Sequence, residues 1–142
     1  HKGTLKIAGF ISPFYNGYDY GKWKNSLKNA KKNVSLDFSQ AVGIIAVNEA
    51  AFSNCDKLSS IVLPNSIKYI DHEAFEGTGY SLKRIVLPYT LKSIAWYAFK
   101  TESYHTIKTE LCFKGTKQQW DEHNFRFVEL SRGQISVICD YK

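Results

Sequence analysis

Ile44-Ile45-Ala46-Val47-Asn48-Glu49-Ala50-Ala51-Phe52, Ile67-Lys68-Tyr69-Ile70-Asp71-His72-Glu73-Ala74-Phe75 and Leu91-Lys92-Ser93-Ile94-Ala95-Trp96-Tyr97-Ala98-Phe99 say the same thing three times. Each copy has an aliphatic residue, a second one three positions later, and an Ala-Phe pair at its end. The copies superpose with shifts of 23 and then 24 residues. Between them run Leu58-x-x-Ile61-x-Leu63-Pro64 and Leu82-x-x-Ile85-x-Leu87-Pro88. A unit this short cannot enclose its own apolar side chains, so it must stack on its neighbours. The repeat therefore predicts a solenoid.

Outward from the repeats, the pattern decays in both directions. Upstream, Asn33-Val34-Ser35-Leu36-Asp37-Phe38-Ser39 alternates cleanly, with Val34, Leu36 and Phe38 on one face. It stands before the first copy as Leu58–Leu63 stands before the second, and reads as a degenerate first repeat strand. Leu5–Ile11 is a further strand candidate, followed by an aromatic, turn-rich stretch from Ser12 to Gly21. Trp23, Leu27, Ala30 and Val34 then fall on one helical face and Lys24, Lys28, Lys31 and Lys32 on the other, predicting an amphipathic helix from Trp23 to about Lys32 with its lysines in water. Downstream, Lys100–Thr106 is polar, Leu111-Cys112-Phe113 takes the places of Ile61-Val62-Leu63, and a short helical stretch around Trp120 precedes two closing strands, Phe125–Val128 and Ile135–Cys139.

The expected architecture is an α/β solenoid in one domain, residues 1–142. It has an N-terminal strand-helix cap (1–33), a short array with a parallel sheet and an irregular or short-helical convex side (34–113), and a C-terminal cap (114–142). Departure from the repeat at both tips is what capping an exposed core requires.

Composition narrows the function classes. The net charge of +6 is not spread evenly. Residues 1–33 hold seven lysines and one acid, whereas the other 109 residues carry twelve basic and twelve acidic side chains. The charge belongs to the N-terminal segment, where it offers contact with an anionic membrane surface or acidic partner, while the ordinary reading is a capping helix. No apolar run reaches the ~20 residues of a membrane span. The chain has no methionine and begins His1-Lys2-Gly3, as expected of a processed product or a fragment. Three scattered cysteines, Cys55, Cys112 and Cys139, make neither a disulfide framework nor a zinc site. They read as core residues, with a Cys112–Cys139 bridge as the alternative.

Catalytic and metal signatures are absent from the sequence. Asp71-His72-Glu73 and Asp121-Glu122-His123 place acids beside histidine, but adjacent side chains diverge and neither run has metal-ligand spacing. No nucleophile elbow or phosphate-binding glycine loop appears. The reading is a non-enzymatic protein without a cofactor and without a nucleic-acid partner.

The strands give candidate binding residues. In L-x-L the two leucines point inward, and the residues between and before them point out of the sheet. Ile61/Leu63, Ile85/Leu87 and Leu111/Phe113 are expected inside. Outside, Val62, Val86 and Cys112 line up, extended by Ile138 if the last strand continues the sheet, beside a polar column of Ser60, Arg84 and Glu110. A contiguous apolar column facing water marks a binding surface for protein. Walled by the aromatic loop, it would hold a hydrophobic small molecule or lipid instead. Strand propensity alone, or coverage by the C-terminal segment, would also account for the valines.

Leu58 to Phe75 resembles the BspA-like, treponemal-type leucine-rich repeat, which reads roughly L-x-x-I-x-L-P-x-S-[IVL]-x-x-I-x-x-x-A-F-x-x-C. Pro64-Asn65-Ser66-Ile67, Ala51-Phe52 and Cys55 match it. Phe113-Lys114-Gly115-Thr116-Lys117-Gln118-Gln119-Trp120 is similar to the G-T-x-x-Q-W that closes such arrays, and Asn33–Ser39 to the strand that opens them in spirochaete members. Thr78 and Glu102 stand where the class has Cys. The resemblance covers about residues 33 to 120. It implies an exported protein, periplasmic or on the bacterial cell surface, that acts in adhesion and host contact by binding and not by catalysis.

Overall fold

The computed structural model describes residues 3–10, 20–78, 80–100, 108–123, 125 and 135–142. The expected aromatic loop after Ile11, the polar stretch after Lys100 and the strand at Phe125–Val128 lie outside the described residues, Phe125 excepted. So do the side chains of Phe10 and of residues 20–23, Trp23 among them.

Six strands form one parallel sheet: β1 (Thr4–Phe10), β2 (Val34–Val42), β4 (Leu58–Val62), β6 (Arg84–Leu87), β8 (Thr109–Phe113) and β9 (Ile135–Ile138), in that spatial order. A second parallel sheet, opposite the first across the core, comprises β3 (Ala46–Val47), β5 (Tyr69–Ile70) and β7 (Ser93–Ile94). The molecule is a parallel β-solenoid of about three turns with few helices. The I-x-x-I half of each repeat was expected to be irregular or short-helical. It is irregular and turn-rich apart from a two-residue strand, which forms because β-branched residues recurring in register every coil can ladder with their own copies above and below.

The pairing confirms the alternation read from the sequence. Ile61 pairs with Ile85 and Ile85 with Leu111, and these residues, with Leu63, Leu87 and Phe113, are fully enclosed. Inside each bend, Phe52, Phe75 and Phe99 stack with ring centroids 5.4 and 5.5 Å apart and planes within 9° and 11° of parallel. Pro64 and Pro88 end their strands, since they cannot donate to the ladder, and their carbonyls accept from Ile67 and Leu91 at 3.1 and 3.2 Å to close the turn. The turn before each phenylalanine is left-handed at the same place in every copy: Ala50 (φ 55°), Glu73 (φ 54°) and Tyr97 (φ 60°). Gly77 (φ 70°) follows the same logic one turn later, and a Cβ there would overlap the Asn54 side chain of the coil below.

Hydroxyls tie coil to coil, those of Ser81 and Thr109 buried and that of Ser59 half-buried. Ser59 donates to the Val34 carbonyl (3.0 Å), Ser81 to Leu58 (2.8 Å) and Thr109 to Leu82 (2.7 Å). Each satisfies a main-chain acceptor of the preceding coil, which burial would otherwise leave unpaired.

The capping helix differs from expectation in position and in one contact. α1 spans Tyr20–Lys28 and not Trp23 to Lys32. It stops because Val34 must join the sheet, where its amide donates to the Lys57 carbonyl at 2.7 Å. Leu27 enters the core as predicted, but Lys24 does not stand in water. It is half-buried, and its Nζ donates to Ser53 Oγ of the first repeat at 2.5 Å. A second helix, α2 (Lys117–His123), sets Trp120 edge-on to Phe113 (centroids 5.2 Å) and Phe125 (4.7 Å), closing that end of the core.

Candidate functional site: the outer face of the long sheet

Parallel pairing stacks the outward residues into two columns. One is Thr4, Ser35, Ser60, Arg84, Glu110 and Ser136. The other is Lys6, Asp37, Val62, Val86, Cys112 and Ile138. All seven residues singled out in the sequence therefore lie on this face and in the expected order. Their exposure, however, is not that of an open apolar ladder. Ile138 is 40 % exposed and Val62 half-buried, but Val86 retains only 4 % of its accessible surface and Cys112 none.

The covered end is organised by Arg84. Its Nε and Nη2 both donate to Glu110 Oε2, at 3.1 and 2.9 Å, across neighbouring strands. That hydrogen-bonded carboxylate holds the guanidinium pKa above its ordinary value. The guanidinium also lies against the Cys112 thiol, whose pKa burial pushes up. Asp140 and Tyr141 are held at the end of β8 and just past it by bonds from their amides to the carbonyls of Gly115 (2.9 Å) and Phe113 (3.1 Å). The Tyr141 phenol comes close enough to act electrostatically on Arg84. The C-terminal residues thus run beside the end of β8, next to the Arg84–Glu110 pair.

The other end is open and charged. Asp37 stands between Lys6 and Val62 and accepts from the Ser39 amide at 2.9 Å. Burial raises the Asp37 pKa, but hydrogen bonds from Ser39 and the charges of Lys6 and Lys114 outweigh it, and the net direction is down. The face therefore presents an acid, a half-open valine, a serine and an Arg–Glu pair in sequence along the stacking axis.

The other sequence candidates are dispersed. His72 Nδ1 is 3.0 Å from the Trp96 carbonyl, away from the long sheet's face. Asp121 pairs with Lys117 (2.5 Å), Glu122 accepts from Gln118 (2.9 Å) and His123 stacks on Phe125 (centroids 5.1 Å). Among the described residues, no three His, Cys, Asp or Glu side chains are placed to share a metal ion. Nor is any helix among them long and apolar enough to cross a membrane. The three cysteines are free: Cys112 faces out of the sheet while Cys139 packs toward the core, so the alternative bridge does not form. Sequence reasoning missed a second feature. Tyr69, Trp96 and Tyr97 stand exposed around the short sheet, and Lys100 lies 5.7 Å over the Tyr97 ring. Their signal was available as aromatic residues at the polar positions of the I-x-x-I half.

Searches of curated proteins and of solved structures give no match. The family comparison does: the description "BspA type Leucine rich repeat region (6 copies)" fits residues 24–136. That match spans most of the chain and runs through every strand from β2 to β8. With the copies of L-x-x-I-x-L and I-x-x-x-x-Ala-Phe stacked in register, the chain belongs to the BspA-type leucine-rich repeat family.

Proposed function

We propose that this domain is a non-enzymatic interaction module that binds a protein partner through the exposed side chains of the long sheet's outer face. Ser60, Val62 and the Arg84–Glu110 pair carry the recognition. The observation behind this reading is the face itself: a rigid row of outward side chains, laddered at the backbone, where a half-exposed valine adjoins an exposed ion pair fixed in one geometry. Apolar contact beside oriented charge is the composition of a protein–protein patch. Family membership supports a binding role and an exported or surface-associated setting, in which adhesion or host contact is the physiological task.

Burial of Val86 and Cys112 weighs against the second reading, a groove for a hydrophobic small molecule or lipid, because the apolar column is filled where it would need to be hollow. Ile138 then belongs to the rim. Contact of the lysine-rich helix with anionic membranes is likewise weakened, since Lys24 is held against Ser53.

The test is affinity capture from a surface-protein extract with the immobilised domain, followed by Kd measurement for the captured protein with Val62→Lys and Arg84→Glu. A loss of tenfold or more with either change, with thermal melts unaltered, supports the sheet face. Unchanged affinity in both variants sinks it.

A further inference from the structure

Among the described residues, the long sheet has one strand edge without a strand partner at each tip. β1 and β9 are its outermost strands, with no strand beyond either among the described residues. The inward column aligned by the pairing is Leu5, Leu36, Ile61, Ile85, Leu111 and Val137. Its middle four members are at most 1 % exposed, whereas Leu5 is 52 % and Val137 37 % exposed. One exposed leucine on a surface calls for no explanation. Here the same core column emerges at both ends, each time on a strand edge whose outward N–H and C=O groups meet no further strand among the described residues, and such edges template further pairing.

The two tips fit each other. In an all-parallel sheet, β1 offers the edge that every internal strand presents to its predecessor, and β9 the edge presented to a successor. Placing a second copy so that its β1 follows β9 continues the register by one step. Ser136 then meets Thr4, Val137 meets Leu5 and Ile138 meets Lys6, so hydroxyl faces hydroxyl and the apolar column runs on unbroken. The matched stretch is bounded by two irregularities. Register shifts between Lys6 and Ala8 at one tip, and Asp140 turns left-handed (φ 55°) at the other. That leaves Thr4–Lys6 against Ser136–Ile138, three pairs, the same number that joins β4 to β6 inside the molecule.

We infer that copies of this chain associate head to tail, β9 of one against β1 of the next in parallel, with Leu5 and Val137 at the centre of the contact. Such a contact is heterologous and does not close on itself, so it extends along the solenoid axis. Its small size makes the association weak, reversible and dependent on concentration.

Sedimentation velocity on the full 142-residue chain, over a concentration series, tests this with Leu5→Lys and Val137→Lys. Both positions are already part-open, and circular dichroism melts check that the variants remain folded. The unaltered chain is expected to sediment faster as concentration rises, passing through dimer to longer species. Each variant alone should stay monomeric. Their equimolar mixture should form a dimer and nothing larger, because one usable head and one usable tail remain. A monomeric unaltered chain at all concentrations overturns the inference. So does a mixture that stays monomeric, or self-association lost in one variant and retained in the other, as two-fold pairing of like edges would give.

Discussion

Phe75 lies between Phe52 and Phe99 with no exposed surface, so its ring has a partner on each side. Phe75→Ala removes both contacts at once and is expected to cost about 3–5 kcal/mol in urea denaturation. Glu73 tests backbone strain in the same turn. At φ 54° a β-branched side chain is disfavoured, so Glu73→Val should lose ~1–2 kcal/mol while Glu73→Gly stays near neutral. Burial raises the Cys55 thiol pKa to about 11, with Lys24 and Lys28 only partly offsetting it. A thiol that ionises later folded than unfolded keeps its full contribution below the unfolded pKa of roughly 8.5 and loses it as pH rises toward the folded value. Stability should therefore fall between about pH 9 and 11, and Cys55→Ala should flatten part of that fall, as read by melts across the interval. The candidate site was half legible at this scale. Period 2 placed Val62, Val86 and Cys112 on one face, but nothing local in the sequence told that Arg84 would lie against Cys112 or that Cys112 would be fully buried. For the same reason Val62→Lys is a usable probe of binding, whereas Val86→Lys would force a charge into a covered position.

The hydroxyl ladder shows how one element recognises the next. Thr109→Val keeps the shape of the side chain yet leaves the Leu82 carbonyl without its 2.7 Å donor, and a cost of ~1–3 kcal/mol is expected from the buried acceptor. Amide exchange should quicken first in β6 and β8, the strands on either side of the lost bond. The long sheet was readable because L-x-x-I-x-L alternates over enough residues to fix both strand and facing. The short sheet was not. Two residues per strand give no periodicity of their own, and pairing arises only once the coils are stacked. The helix ends were misplaced for a related reason: Ala30 and Lys31 suit a helix well, but the sheet's demand for Val34 outweighs their propensity.

At the scale of the molecule, the 23- and 24-residue shifts carried the whole architecture, since they force strands into parallel register and leave a solenoid as the stacking that satisfies all copies. The tips were harder to read, because a cap is defined by what the repeat lacks. The order of strands in the long sheet has a mechanical consequence. Its hydrogen bonds run along the solenoid axis, with β1 at one end and β9 at the other. Tension applied through the two ends of the chain therefore loads the ladder in peeling geometry, a few bonds at a time, and never the whole sheet in shear. The molecule should yield at low force in steps, each releasing one coil of about 24 residues and thus about 80 Å of chain. Under pulling it would lengthen as a graded spring, giving up its outer coils while the Phe52–Phe75–Phe99 stack still holds.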